Sequence, residues 1–315
     1  MPKITIITPC YFNELNIPVY AKCMTENEKI FPSDVTFEYV MIDDGSKDNT
    51  WLELEKFHSQ YPEKVKIVKL IRNFSSTNAV FAGLEFSTGD CNVIISADLQ
   101  DPPEIILKMY DHWLKGIKLV LANRNNREEP FLQKLISNTA YKIVQKWGLK
   151  NLPKGGFDMN LFDKEIRDIL IKMEEKNSFL PFLLMWLGYD FVCVPYTRRK
   201  REIGKSTYTL SKKIKSFIDG FVSFTFLPLR IISVAGMTLG LLSLIYVVLI
   251  FVKTLIMGVS VEGWTSLMVV LLFVSSFIMI ALGIIGEYLY RALDASRNRP
   301  NYIIDKKIIL TEEEI

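Results

Sequence analysis

The residue types that could do chemistry in this chain of 315 residues gather in short polar stretches, each placed directly after an apolar run. The most informative is Val93-Ile94-Ile95-Ser96-Ala97-Asp98-Leu99-Gln100-Asp101-Pro102-Pro103-Glu104. A β-branched run stops in an acidic turn, and a helix start follows at the proline pair. A buried parallel strand delivers a carboxylate in this way to the carboxyl edge of a sheet, where open α/β folds bind ligands. Asp98 and Gln100 offer hard oxygen ligands two residues apart, suited to a divalent cation that also holds a nucleotide's phosphates. Read as structure alone, the stretch is an ordinary strand-to-helix loop containing an acid.

Comparable stretches follow the other apolar runs. After Ile4–Ile7 comes Thr8-Pro9-Cys10-Tyr11-Phe12-Asn13-Glu14. Pro9 is expected to stop the strand, Tyr11 offers a flat face for a nucleobase, and Asn13 and Glu14 can bond a base or ribose; otherwise this is a loop with a helix cap. After Tyr39–Ile42 the adjacent acids Asp43 and Asp44 repel each other, a cost that a capped turn with Ser46 or Asp48 would not require. A carboxylate accepting from a base N–H or a ribose hydroxyl accounts for the pair. Arg72-Asn73-Phe74 and Asn123-Arg124-Asn125-Asn126-Arg127 put guanidinium groups at the same edge, where they suit a diphosphate. Lys154-Gly155-Gly156-Phe157-Asp158 is expected as a glycine turn delivering a further acid before a helix, with dipole stabilisation of Asp158 as its structural reading.

Elements must alternate to carry these stretches. Strands are expected at Ile4–Ile7, Tyr39–Ile42, Lys66–Leu70, Val93–Ile95, Leu119–Ala122 and Phe191–Val194. Helices are expected near Asn16–Ile30, Asn49–Gln60, Asn78–Ser87, Pro103–Lys115, Phe131–Trp147, Lys164–Met173 and Ser178–Leu187. The alternation implies βαβ units and a mainly parallel sheet. The formal charge of +3 is too small to argue for nucleic acid. The four cysteines are scattered without a C-x-x-C pair, which fits a reducing compartment. The two histidines, His58 and His112, read as solvated helix residues, so no Ser-His-Asp triad or histidine-ligated zinc is evident. The N-terminus reads as a strand, not a signal peptide.

The last third changes character. Tyr196 to Tyr208 is strongly basic, and Lys212, Lys213 and Lys215 extend the run. Beside a membrane this is a positive-inside signal, and it also fits an anionic lipid headgroup. Leu210, Ile214, Phe217, Ile218, Phe221 and Phe224 recur at helical spacing opposite the lysines, as in an interfacial amphipathic helix. Ile231–Val252 and Gly263–Gly286 carry no charge. Each is roughly 22–24 residues, about 33–36 Å as a helix, enough to cross a bilayer. The basic bias places the large domain and both termini in the cytoplasm. Gly236 and Gly240 would permit helix association, and Glu287 can pair with Arg291 one turn on.

Taken together these stretches resemble the family 2 glycosyltransferases with a GT-A fold, specifically the polyprenyl-phosphate glycosyltransferases such as bactoprenol glucosyltransferases and dolichyl-phosphate mannose synthases. The resemblance rests on Pro9-x-Tyr11-x-Asn13-Glu14, Asp43-Asp44-Gly45-Ser46-x-Asp48, Arg72-Asn73-Phe74, Ala97 through Glu104 and Arg198-x-x-Arg201-x-x-Gly204-x-Ser206. It continues through Phe224-x-x-x-Pro228-Leu229-Arg230, Gly286-Glu287-Tyr288 and Arg299-Pro300-x-Tyr302. Ser96 stands where the family's Asp-x-Asp motif has its first acid. Ser75 and Ser76, Asn160 and Thr207 also depart from the pattern.

The resemblance implies a GT-A domain over residues 1–208, a juxtamembrane amphipathic helix over 209–228, a two-helix transmembrane hairpin over 229–291 and a cytoplasmic tail over 292–315. It implies an inner-membrane, multi-pass enzyme of cell-envelope glycan modification, forming homo-oligomers, with a tetramer as one option. The reaction implied is inverting transfer of a hexose, glucose from UDP-glucose first among the choices, to polyprenyl (undecaprenyl) phosphate. Pro9, Tyr11, Asn13, Glu14, Asp43, Asp44, Arg72, Ala97, Asp98 and Arg124 would bind the nucleotide sugar. Arg127, Arg198, Arg201, Lys205 and Ser206 would take the acceptor phosphate. Asp98 and Gln100 would hold Mg2+ or Mn2+, and Asp98 and Asp158 would be catalytic, Asp158 as base or as positioning acid. Two rivals are a processive polysaccharide synthase, disfavoured by the lack of a Gln-x-x-Arg-Trp motif, and a non-catalytic membrane scaffold on a decayed transferase fold.

Overall fold

The apolar runs become buried strands in a computed structural model, which describes residues 1–124, 145, 152–153, 157–173, 179–199, 227–257, 263–297 and 299–309. The strands are β1 (Lys3–Cys10), β2 (Thr36–Asp43), β3 (Val65–Leu70), β4 (Cys91–Ile94), β5 (Leu119–Arg124), β6 (Phe157–Asp163), β7 (Phe191–Tyr196) and β8 (Ile304–Ile308). The helices are α1 (Ile17–Glu28), α2 (Thr50–Gln60), α3 (Ser76–Glu85), α4 (Ile105–Leu114), α5 (Lys164–Lys172), α6 (Leu180–Trp186), α7 (Leu227–Met257) and α8 (Trp264–Ser296).

The strands form one mixed, mainly parallel sheet in the order β7-β5-β6-β4-β1-β2-β3-β8. Only β6 and β8 run against the rest. This is the α/β sheet that the GT-A resemblance implies. Ile4, Ile6, Tyr39, Met41, Val65, Ile67, Cys91 and Val93 share one buried cluster with Tyr20, Leu54 and Tyr110 of the covering helices. On the opposite face α3 packs very close: a Cβ on Gly83 would lie 2.6 Å from Ile42 Cδ1 and 2.7 Å from Ile7 Cγ2.

Four expectations need correction. Pro9 does not stop β1, which runs on to Cys10. The Cys10 carbonyl faces β2, where it accepts from Asp44 N–H, while the Ile7 carbonyl faces β4 and accepts from Ile95 N–H. Pro9 therefore turns its missing donor toward β4, beyond the last ladder pair of Ile7 with Ile94, so no bond is lost. Asp158 does not sit in a turn before a helix; it is the second residue of β6, whose Phe157, Met159 and Leu161 are all buried. His58 is part-buried, its Nδ1 lying 2.6 Å from the Val65 carbonyl oxygen. The segment from 304 to 308, read from the sequence as part of a tail, is a strand on the outer side of β3.

The amino edge of the sheet carries a buried ion pair. Lys66 Nζ lies 2.8 Å from Glu38 Oε1, both side chains being almost fully buried. Glu38 also accepts from Thr5 Oγ1 at 2.7 Å and from Thr88 N and Oγ1 at 2.8 Å. Burial pushes this carboxyl up, but Lys66 and the Thr88 and Thr5 donors outweigh it and hold the group below its ordinary range.

The chain divides into two units, Met1–Gly220 with Pro300–Ile315, and Phe221–Arg299. Within the second, both stretches expected as spans lie in helices, α7 and α8. Among the described residues one stretch, Phe273–Ser296, is long and apolar enough to cross a bilayer, and Leu227–Leu242 is a shorter apolar helix. Gly236 of α7 faces the Phe277 ring of α8, and Arg291 pairs with Glu287 at 2.8 Å. The helices expected at Phe131–Trp147 and Leu210–Phe226 lie outside the described residues apart from Gln145.

Candidate active site

Parallel strands deliver their following loops to one edge, and here those loops are unusually constrained. Among the described residues three non-glycine residues have positive φ: Phe12 (54°), Ser75 (94°) and Leu99 (51°). They follow β1, β3 and β4, and Gly45 at 68° follows β2. A side chain in this region costs about 1–2 kcal/mol. Strain of this kind collected at one edge, and nowhere else in the described chain, points to a site.

The loop after β4 shows what the strain achieves. With Leu99 turned, Gln100 N–H folds back to Asp98 Oδ1 at 3.2 Å. The Gln100 carboxamide nitrogen donates to the Arg199 carbonyl at 3.4 Å, so its oxygen is the ligand atom it can offer. A reverse bond, Arg199 N–H to Gln100 O at 2.8 Å, zips this loop to the end of β7. No cluster of three or more His, Cys, Asp or Glu is present among the described residues. One carboxylate and one carboxamide fit a hard cation whose remaining ligands are substrate phosphates and water, and do not make an all-protein cage.

Asp101 anchors the arginines at this edge, a role not expected from the sequence. It is 1% exposed, and its Oδ1 accepts from the Tyr196 hydroxyl at 2.5 Å and lies 3.4 Å from Arg198 Nε. Tyr196 is also hydrogen-bonded to the Arg124 side chain. Burial, and then the charge and hydrogen bond of Asp101, push the Tyr196 hydroxyl far above its ordinary value. Arg124 and Arg198, expected for two different substrates, thus meet around one buried acid. Arg199, by contrast, is turned to Glu104 at 2.8 Å.

The acidic pair after β2 divides its work. Both oxygens of Asp44 accept backbone N–H groups across the loop after β3, from Phe74 at 2.7 Å and Ser75 at 3.1 Å. Burial pushes the Asp44 carboxyl up to about 6 against the pull of those amides. Asp43 accepts from Ser46 N–H at 2.9 Å through Oδ1, while Oδ2 is buried with no hydrogen-bond partner and has Lys69 Nζ at 3.8 Å. Burial pushes its carboxyl up as well. A carboxylate kept in this condition is ready to accept from a ligand.

The remaining expected residues fall into two groups. Asn13 and Glu14 stitch the loop after β1 to α2: Asn13 N–H donates to Thr50 Oγ1 at 2.8 Å and Glu14 Oε2 accepts from Asn49 N–H at 2.9 Å, while Asn13 Oδ1 closes the loop on itself by accepting from Tyr11 N–H at 2.7 Å. Tyr11 packs edge-on against Phe12, and Arg72 lies exposed with its guanidinium 4.7 Å above the Phe74 ring. Ala97 is buried beside Asp98, and Asp158 stands at the start of β6, which opens on this same edge. Arg127, Arg201, Lys205 and Ser206 lie outside the described residues.

The glycosyl transferase family 2 profile matches residues 5–169, from within β1 to beyond β6. The bactoprenol glucosyl transferase of Shigella phage SfV is 32% identical over 303 residues, 96% of this chain and 98% of that protein. An uncharacterized glycosyltransferase of Bacillus subtilis, YkcC, is 33% identical over 305 residues, 96% of this chain and 94% of its own. Among solved structures, a mannosyltransferase of Pyrobaculum calidifontis in complex with GDP-Man and Mn2+ superposes with a TM-score of 0.47 at 18% identity, over 68% of this chain and 60% of that one. From the profile match and the full-length relatives, the chain belongs to glycosyl transferase family 2.

Proposed function

We propose that the protein transfers a hexose from a nucleotide diphosphate sugar to a polyprenyl phosphate, with UDP-glucose as the first donor to test. The observation that carries this reading is the single sheet edge that gathers Asp98, Gln100 and Arg72 on strained loops and Arg124 and Arg198 at the ends of β5 and β7. Full-length relatives named bactoprenol glucosyl transferases support the acceptor class. The leaving group is a diphosphate, so positive charge must absorb what develops as the glycosidic bond breaks. The acceptor is a phosphate monoester, already ionised at neutral pH, and needs cationic neighbours more than a general base.

Arg72 and Arg124 would face the donor diphosphate, and Asp43 and Tyr11 the nucleoside. Arg198, with Arg127, Arg201, Lys205 and Ser206, would receive the acceptor phosphate. Mg2+ or Mn2+ held by Asp98 and Gln100 would supply charge neutralisation at the diphosphate. Direct displacement by the acceptor oxygen would invert the anomeric centre, and Asp158 would either position the acceptor or take a proton. α7 and α8 would form a two-span hairpin at the inner membrane, the sheet domain and both termini would face the cytoplasm, and the chain would act as a homo-oligomer. The test is a panel of nucleotide sugars incubated with polyprenyl phosphate and the purified protein, with mass measurement of the lipid product. A single hexosyl adduct from one donor is expected; a water-soluble polymer, or no adduct from any donor, would overturn the reading.

A further inference from the structure

β8 lies antiparallel on β3, with Ile67 opposite Ile308, Val68 opposite Lys307, Lys69 opposite Lys306 and Leu70 opposite Ile304. Its central lysines suit an edge strand that must not recruit another chain. The register slips between Lys69 and Leu70, yet the pairing continues: Ile71 N–H donates to the Ile303 carbonyl at 3.1 Å. Covering the edge of β3 would not require that bond, because Ile71 already belongs to the loop and is 51% exposed. The residue after it is Arg72.

The same loop is gripped from its other side. A Cβ on Gly45 would stand 2.4 Å from the Arg72 carbonyl carbon, and Asp44 takes the Phe74 and Ser75 amides. Arg72 therefore sits between two supports, one from β2 and one from the C-terminal strand. Side chains reinforce the second: Tyr302 is hydrogen-bonded to Glu85, Lys307 Nζ lies 5.5 Å from the Phe86 ring centre, and Ile308 packs on the core. Ser75, at φ 94°, shows that the loop is strained; a strained loop supported on one side only would relax, and a guanidinium that must be ordered on binding gives up affinity.

We propose that the C-terminal strand is a positioning element of the nucleotide-sugar site, acting through the Ile303 carbonyl on the backbone at Ile71 and so on Arg72. This deepens the functional reading above and rests on it. Ile303 itself touches no substrate in this scheme; Arg72 does.

The test is nucleotide binding, by calorimetry with UDP-glucose and Mg2+, to the full chain in detergent micelles and to a chain ending at Pro300. The shortened chain should bind about tenfold more weakly. A synthetic peptide covering residues 300–309 should restore affinity by adding the strand in trans. A peptide beginning at Ile304, which covers the edge of β3 but lacks the Ile303 carbonyl, should not. If the shortened chain does not fold, Lys306→Pro in the full chain interrupts the strand and should show the same loss. Equal affinity with and without the strand, or restoration by the shorter peptide as well as by the longer, would overturn the proposal. A full chain that binds no nucleotide sugar at all would overturn the functional reading beneath it.

Discussion

Tyr196, the last residue of β7, donates a hydrogen bond from its hydroxyl to Asp101 at 2.5 Å, joining that strand to a loop 95 positions away in the sequence. The bond ties the candidate cation loop to the strand that leads into the basic segment. A buried carboxylate deprived of one donor keeps its desolvation cost. Tyr196→Phe should therefore lower stability by about 1–3 kcal/mol and slow product formation, and Asp101→Ala should be worse because Arg198 loses its acid. Thermal unfolding and transfer rates on the same purified samples check both; an unchanged unfolding midpoint for Tyr196→Phe would count against the bond.

Gly45 is the contact point between the loops after β2 and β3. An alanine there meets both a left-handed backbone and the Arg72 main chain. Gly45→Ala should lower stability by about 2 kcal/mol or more and weaken nucleotide binding measured by calorimetry. Wild-type affinity in that variant would mean the two loops do not need their close approach.

The buried pair at the amino edge offers a control far from the chemistry. Lys66→Met leaves Glu38, as its cation, only the longer contact with the more exposed Lys3 at 3.9 Å and should cost about 3 kcal/mol, while the rate per folded molecule stays near wild type. The sign of the pH dependence follows from the lowered folded-state value of Glu38: its stabilisation is present above the ordinary carboxylate range and is lost as pH falls through the lowered value. Acid unfolding of wild type and Glu38→Gln compared side by side tests this; identical acid midpoints would contradict it.

Asp44 has the opposite sign. Its folded-state value is raised from 3.8 to about 6, so the folded protein keeps a proton that the unfolded chain releases between those limits. Stability from this group is fully present below the unfolded value and is lost as pH rises through about 6. The stability advantage of wild type over Asp44→Asn should accordingly shrink between pH 4 and pH 7. Unfolding midpoints of the two proteins across that range read it directly, and an advantage that grows with pH would refute the assignment.

Much of this architecture is legible in the sequence because β-branched runs such as Val93-Ile94-Ile95 bury both faces and leave little choice but a central strand. The start of β6 reads from the sequence as a glycine turn ending at Asp158, and Asp158, Asn160 and Asp163 interrupt the apolar run, although Phe157, Met159 and Leu161 carry the two-residue alternation of a strand. β8 has only an isoleucine at each end, and its pairing is decided by β3, far away in the chain. The positions of Asp98, Arg72 and Arg198 at one edge follow from strand direction alone. The anchoring role of Asp101 does not, since the burial of a carboxylate depends on partners such as Tyr196 that only the folded chain supplies. Asp44 likewise reads as a ligand group from its repulsion with Asp43, and the fold shows its main-chain duty.

The most direct measurement is incorporation of labelled hexose from UDP-hexose into organic-extractable lipid, comparing wild type, Asp98→Ala and a Arg198→Gln/Arg201→Gln double variant. Wild type should label lipid and lose that activity on exhaustive chelation, Asp98→Ala should fall by at least about a hundredfold, and the double variant should require far more polyprenyl phosphate for the same rate. Undiminished labelling by Asp98→Ala, by chelated wild type or by the double variant would contradict a cation and arginines bringing two anionic substrates together.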